Sequence, residues 1–478
     1  MTFYETTLRF FFGEILNLEI FLGDDENLEA LLQEKKNSCR WIKVIFFPLN
    51  NRHRPPSESE MVEKTILDNG IQVITEEIPG VHSVSLGVWV QAGSRDENPE
   101  ECGISHFIEH MLFKGTKRRS PQQIAKEIDA VGGVLNAFTS KEFSSFYAKV
   151  LTEHLPVALD LLFDLFLNSQ FAAEELEKER QVIVQEISMI EDTPDEYIHD
   201  LFSEAFWAGH PLSYPILGRL DTIGRMNRRQ LKDFFVHHYL SVEPILVAAG
   251  NLTHEKFLKP VEKALGKIRP RPKRRKKQPP RPHPNLLVKN KKLEQVHLLL
   301  GTQGLAAVHA QRYAVSILNT VFGGGMSSRL FQEIREKRGL AYSVYSFLSS
   351  FADSGMLGVY VGTGEKTLNR VLQIILREMH RLSEVYLKPQ ELRAAKEQLK
   401  GNLLLSLEST DSRMGRLAKN EIYFQRFIET HEIIEGIEKV TAAEVCQLAQ
   451  QLFKPQFLSL TALGPVTEKE IPKGVVQA

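Results

Sequence analysis

His106-Phe107-Ile108-Glu109-His110 places two imidazoles and a carboxylate within little more than one helical turn. Residues four apart share a helix face, so His106 and His110 can point at one metal ion. Glu109 follows His106 by three residues and stands beside that face without competing for the same ligand position. The helix itself is predicted by an apolar stripe: Ile104, Phe107, Ile108, Met111 and Leu112 recur at helical spacing. Gly103 ends the preceding loop, Ser105 is the expected cap, and Gly115-Thr116 stop the run. One face of this segment is therefore committed to a core and the other to chemistry. The same pentapeptide also fits a solvated helix face, so the flanking residues must decide.

Catalytic zinc usually has three protein ligands and one open water position, and it lowers the pKa of that water to about 7. Two neutral histidines need one more donor, and a carboxylate from elsewhere in the chain would complete the set.

The surrounding sequence resembles a known family. Gly93-Ser94-Arg95 followed by Gly103-Ile-Ser-His106-Phe-Ile-Glu109-His110-Met-Leu-Phe-Lys-Gly-Thr116 is similar to the active-site segment of the pitrilysin/insulinase zinc peptidases, with their inverted His-x-x-Glu-His motif. The resemblance is nearest to the mitochondrial processing peptidase branch and its bacterial relatives. Glu179-Arg-Gln-Val-Ile-Val-Gln-Glu186 resembles the third-ligand segment. Asn136-Ala137-Phe138-Thr139 resembles the edge strand that pairs with substrate backbone. Gly323-Gly-Gly-Met-Ser-Ser-Arg329 and Arg335-Glu-Lys-Arg338-Gly-Leu-Ala-Tyr342 resemble the substrate-binding segment of the non-catalytic domain. The likeness runs from Met61 to Val466.

This resemblance implies a set of roles. His106, His110 and Glu186 would hold one Zn2+ per chain. Glu109 would act as general base and then deliver the proton to the leaving amine. Glu179 lies two helical turns before Glu186 and would orient a histidine or assist proton transfer. Asn136 and Ala137 would bind the substrate main chain by strand addition. Arg335 and Tyr342 would hold the substrate carbonyl or tetrahedral intermediate, with Arg338 a rival for the arginine role. Gly323–Gly325 lacks a following Gly-Lys-Ser/Thr, so it reads as flexible backbone rather than a phosphate loop.

Composition bounds the rest. The 478 residues suffice for two or three domains, and 42% hydrophobic with 25% charged residues is ordinary for a globular protein. A net charge of −1 gives no argument for nucleic acid. Cys39, Cys102 and Cys446 are too scattered for a disulfide scaffold or a zinc cluster. No stretch reaches the ~18 apolar residues of a membrane span.

Residues 1–60 alternate apolar and acidic positions and fit neither a secretory signal nor a mitochondrial presequence. They are expected to be a dispensable or untranslated extension ahead of Met61. A catalytic domain is expected over 61–268, a basic, proline-rich linker over 269–285, and a non-catalytic, substrate-binding domain over 286–478. The linker reading is favoured over a nucleic-acid tail because the run lies between two folded halves and lacks interleaved aromatics.

The halves read as a divergent repeat. Aligned on Phe113 and Phe322, His106 falls on Val315 and Glu109 on Leu318. Aligned on Leu176 and Leu392, Glu179 falls on Ala395 and Glu186 on Asn402. The second copy thus lacks every metal group. Val84–Val90 alternates as a half-buried strand, 155–167 and 368–382 have helical periodicity, and 296–300 and 356–361 read as strands. The expected fold is α+β: two similar domains, each an antiparallel sheet with helices packed on it, facing each other like a clam shell.

The expected activity is zinc-dependent, processing-peptidase-like endopeptidase cleavage of unfolded polypeptides or oligopeptides. The expected assembly is a homodimer, with a heterodimer as the alternative. A bacterial cytoplasmic location is expected, with the mitochondrial matrix or export as alternatives. A catalytically silent, peptide-binding subunit is the competing reading, and the intact four-residue set argues against it. A closed structural zinc site would need a fourth ligand, usually cysteine, and none lies near Glu186.

Overall fold

The computed structural model describes residues 58–268, 277–472 and 474–475. The expected extension up to residue 57 and the part of the linker over 269–276 lie outside the described residues. The first half supplies strands β1 (Val62–Ile66), β2 (Gln72–Glu77), β3 (Ser83–Val90), β4 (Val134–Thr139), β5 (Ser144–Leu151) and β6 (Ile245–Gly250). Its helices are α1 (Ile104–Leu112), α2 (Pro121–Asp129), α3 (Leu155–Asn168), α4 (Ala173–Glu191), α5 (Pro194–Phe206), α6 (Leu220–Arg225), α7 (Arg228–Phe235) and α8 (His254–Leu265). The second half supplies β7 (Leu286–Asn290), β8 (Val296–Gln303), β9 (Ala341–Ser350), β10 (Gly355–Thr363) and β11 (Ser459–Gly464). With them come α9 (Arg312–Phe322), α10 (Leu368–Glu384), α11 (Pro389–Ser406), α12 (Thr410–Phe424), α13 (Thr430–Lys439) and α14 (Ala442–Leu452).

The strands form two sheets, ordered β1-β2-β6-β3-β5-β4 and β7-β11-β8-β10-β9. From β2 onward the two orders match strand for strand, so the internal repeat is visible in topology. Pairing is antiparallel except at β2–β6 and β7–β11, which are parallel and occupy the same place in each sheet. A wholly antiparallel sheet was the expectation. The exception arises because the last strand of each half returns, after its helices, to lie beside the strand that precedes the centre. β4 and β9 are free edges, and β4 leads directly to the site.

Each sheet has its own helices on one face. The opposite face is covered by a helix from the other half. On the first sheet, Ile74, Trp89, Ile245, Val247 and Ala249 pack against Met414, Leu417 and Ala418 of α12. On the second sheet, Leu299, Met356, Tyr360 and Leu463 pack against Ile198, Leu201, Phe202 and Phe206 of α5. Gly301 makes room for the Phe202 ring, since a Cβ there would lie 2.5 Å from Cζ. Burying each large apolar side chain contributes about 1.5–3 kcal/mol, so the exchange ties the halves together.

This exchange corrects the reading of Val84–Val90. That strand is buried on both faces, because α12 arrives from more than three hundred residues away to cover the second one. Polar contacts fix the register of α12. Ser85 Oγ donates to Asp411 Oδ1 at 2.6 Å, Lys149 pairs with Asp411 at 2.9 Å, Lys64 pairs with Glu421 at 2.7 Å, and Arg413 pairs with buried Glu76. No described helix is long and apolar enough to cross a membrane.

Candidate active site

Helix α1 forms where the apolar stripe predicts it. Ile104, Phe107, Ile108, Met111 and Leu112 are buried against the first core. This leaves His106, Glu109 and His110 on the partly open side. The start of the helix differs from expectation. Gly103 is left-handed at φ 94°, and a Cβ on it would lie 2.6 Å from the Gly218 backbone. The free amides are capped by Glu97, not by Ser105. Gly103 N–H and Ser105 N–H donate to its two carboxylate oxygens at 2.8 and 2.9 Å. Ser105 is already the second helical residue, too late to cap. Glu97 is buried, and burial pushes its carboxyl up to about 8 against the pull of those two amides.

Helix α4 brings the remaining carboxylates, Glu179 and Glu186, to the same side. His106 Nε2 lies 3.7 Å and His110 Nε2 lies 3.5 Å from Glu186 Oε2. The donor atoms of these three residues all lie within 4.8 Å of one another, and no other such group occurs among the described residues. Ligand atoms at the zinc distances of about 2.0–2.1 Å, arranged tetrahedrally, stand about 3.3–3.4 Å apart. The observed spacing therefore fits a zinc-sized ion with small adjustment.

Protonation fits as well. A carboxylate can only accept, so His110 Nδ1–H donates to Glu179 Oε2, at 3.0 Å, which turns Nε2 toward Glu186. Burial, and next the charge of His110, push the His106 imidazole down to about 3. Glu179 is buried, and its other oxygen pairs with Lys114 at 2.8 Å. Both of its carboxylate oxygens are thus engaged, one by His110 and one by Lys114.

Glu109 accepts a 2.6 Å hydrogen bond from Thr139 Oγ1, at the end of edge strand β4. Burial raises its pKa, and the Thr139 bond opposes the rise. On the same strand, Ala137 N–H donates to Asn136 Oδ1 at 2.8 Å. Asn136 is exposed and Ala137 is buried.

Arg335 and Tyr342 form a unit of their own. The Arg335 guanidinium lies 4.5 Å over the Tyr342 ring and 4.8 Å over Phe331, and Nη1 donates to the Tyr342 carbonyl at 3.2 Å. Tyr342 is 75% exposed, so it has no place in the core. Among the described residues, no hydrogen bond, ion pair or ring contact joins this unit to α1. The rival Arg338 is occupied, donating to the Glu333 carboxylate at 2.6 Å and to the Glu333 carbonyl at 2.7 Å.

Gly323 and Gly324 are not the flexible backbone expected. A Cβ on Gly323 would lie 2.5 Å from Ser346 N, and one on Gly324 would lie 2.7 Å from the Thr320 Cα. Gly323 permits close packing of the α9 terminus on β9, and Gly324 lets the chain turn back against the last turn of α9 itself.

Glu97, Lys114 and Thr139 were missed as site residues. Lys114 stands four residues after His110, and Thr139 ends the quoted edge-strand segment. Both were thus within reach of sequence reasoning. Nothing in the local sequence marks Glu97 as the cap.

Comparison with known proteins gives the family. The chain is 44% identical over 405 residues to the "Uncharacterized zinc protease YmxG" of Bacillus subtilis, covering 85% of this chain and 98% of that protein. Residues 72–219 match "Insulinase (Peptidase family M16)" and residues 225–399 match "Peptidase M16 inactive domain". The chain belongs to peptidase family M16. A Streptomyces coelicolor M16 relative, also named an uncharacterized zinc protease, is 39% identical over 419 residues, covering 86% of this chain and 91% of that protein. Two solved structures share the M16 fold. A Pseudomonas fluorescens structure described as a peptidase M16 inactive domain superposes with TM-score 0.79 at 20% identity, covering 85% of this chain and 98% of that one. A Helicobacter pylori protease superposes with TM-score 0.78 at 22% identity, covering 84% and 99%.

Proposed function

We propose that this protein is a zinc-dependent endopeptidase of extended polypeptide segments, processing-peptidase-like in its substrates. The observation that carries the reading is the convergence of His106, His110 and Glu186, with Glu109 beside them and a free sheet edge ending at Glu109's partner Thr139. His106, His110 and Glu186 would hold one zinc ion, which when bound supplies Lewis-acid polarisation of the carbonyl and of the attacking water.

The chain's own groups do the remaining work. Glu109 takes the proton from the attacking water as oxygen bonds to the carbonyl carbon. It then returns that proton to the nitrogen as the C–N bond breaks. Thr139 aims the Glu109 carboxylate, and Glu179 fixes the ring of His110. Substrate adds as a strand to β4, with the Asn136 side chain yielding the Ala137 N–H to a substrate carbonyl. This requires an extended, unfolded segment. Arg335 and Tyr342 present a cation and a phenol to the substrate carbonyl. They would reach across from the second half of the chain, and we take the assembly to be a homodimer.

The test uses a quenched library of unstructured peptides, with zinc measured on the same samples, for wild type and Glu109→Gln. Cleavage by wild type, with loss of about 10²–10⁴-fold in the variant at unchanged zinc content, supports the mechanism. Zinc binding without cleavage by wild type would favour a silent or partner-dependent subunit instead.

A further inference from the structure

Arg95 is buried, with both terminal nitrogens of its guanidinium engaged between the two halves and its Nε without a hydrogen-bond partner. Nη1 donates to Glu142 Oε1 at 2.7 Å, and Nη2 donates to Asp353 Oδ2 at 2.7 Å and to the Gln278 carbonyl at 3.0 Å. The Arg95 side chain is 1% exposed and that of Glu142 is 5% exposed. The second oxygen of Glu142 accepts from Ala352 N–H at 2.9 Å and from Tyr423 Oη–H at 3.1 Å. Asp353 and Ala352 lie in the turn joining β9 to β10, and Tyr423 lies on α12. The second half therefore supplies three of the partners of the buried Arg95–Glu142 pair, among them Asp353, whose side chain is 25% exposed. Buried charges tolerate little displacement, because a lost partner leaves an uncompensated charge in a low dielectric.

This cluster is wired to the site by two short paths. Arg95 and Glu142 sit on loops that are bonded to each other. Ser94 N–H donates to the Ser140 carbonyl at 3.1 Å, and Arg95 N–H donates to the Lys141 carbonyl at 2.8 Å. Gly93 allows that approach, since a Cβ there would lie 2.3 Å from the Ser140 oxygen. Two residues beyond Arg95, Glu97 caps the start of α1. Three residues before Glu142, Thr139 holds Glu109. A shift of the cluster moves both the metal helix and the base.

We infer that Asp353, acting through Arg95 and Glu142, is a positioning residue for α1 and for Glu109. The second half, which carries no metal group, thereby sets the geometry of the first. The catalytic consequence rests on the peptidase reading above, but the positioning itself does not. Misplacement by about 1 Å can reduce rate by about 10²-fold, so small displacements matter.

The test is hydrogen–deuterium exchange by mass spectrometry on the full chain, comparing wild type with Asp353→Asn and Tyr423→Phe. Arg95 keeps Glu142 in the first variant, and the second removes one hydroxyl, so each perturbs the cluster without dismantling it. The expected result is at least tenfold faster exchange in segments 103–112 and 136–142 for Asp353→Asn, a smaller change in the same segments for Tyr423→Phe, and none in α3. Faster exchange confined to the 351–354 turn and α12 would overturn the inference. Exchange needs neither metal nor substrate, so it decides the matter even if the chain cleaves nothing. With an active enzyme, Asp353→Asn is expected to lower kcat about tenfold at constant KM, with Asp353→Glu recovering most of it. An equal loss in the Asp353→Glu and Asp353→Asn variants would count against a positioning role.

Discussion

Glu179→Gln isolates the support of one proposed metal ligand, His110. The substitution keeps shape and removes charge at a buried position where water cannot substitute. Glu179 holds His110 Nδ1 at 3.0 Å and Lys114 Nζ at 2.8 Å. The amide retains one acceptor oxygen for these two donors and turns an N–H2 group toward one of them. A hydrogen bond to a charged partner contributes about 1.5–3 kcal/mol. At about 1.4 kcal/mol per tenfold, losing the His110 contact should weaken zinc binding by roughly 10–100-fold, in line with other partners of metal-ligating histidines. Lys114 is 30% exposed at its side chain, so it can turn to solvent and adds little to the loss. The assay is competition for zinc against a chromophoric chelator, with Glu175→Gln, near the start of the same helix, as control. A zinc affinity within twofold of wild type for Glu179→Gln would refute the argument that this carboxylate orients His110.

Two further outcomes concern stability. Phe202→Ala removes a ring buried by α5 against the second sheet, and should destabilise by about 3–5 kcal/mol. For the unit Glu58–Ala478 the unfolding entropy is about 0.9 kcal/mol/K, so the midpoint should fall by about 3–6 °C, with near-UV signals of both halves moving together; a first-half transition left at the wild-type temperature would contradict the tie. The Glu97 carboxyl keeps its proton up to about 8 when folded and releases it near the ordinary 4.5 when unfolded. Between those values the unfolded chain binds fewer protons, so this group's stabilisation is lost as pH rises through the window. Glu97→Gln should show a flatter dependence there in denaturant titrations, and parallel curves for the two proteins would show that Glu97 does not titrate in this way.

The chemistry was legible because it is local. His106, Glu109 and His110 share one helix, and the apolar residues between them show which face turns inward. Glu186 needed the family resemblance, since nothing in its own helix distinguishes it from Glu177 or Glu191. Strands such as Val296–Gln303 were legible in pattern, yet the burial of β3 on both faces was not. The helix that covers it comes from the other half, and no local period reports a distant partner. The same limit hid the cap of α1, because Glu97 acts across a loop, and the partner of Arg95, which lies 258 residues away. Gly323 and Gly324 were misread because a glycine required for close packing and one required for freedom look alike in sequence.

The reciprocal loan of α5 and α12 has a consequence for synthesis. When the ribosome has finished the first sheet, the side of Trp89 and Val247 has no cover, and α5 has no sheet to sit on. Both wait until the last third of the chain is made. The nascent first half must therefore carry an apolar surface while roughly a third of the chain is still being made, and a chaperone or a neighbouring nascent chain can bind it there. The two halves reach their final form in one late event, so a truncated product would be a substrate for quality control rather than a smaller enzyme.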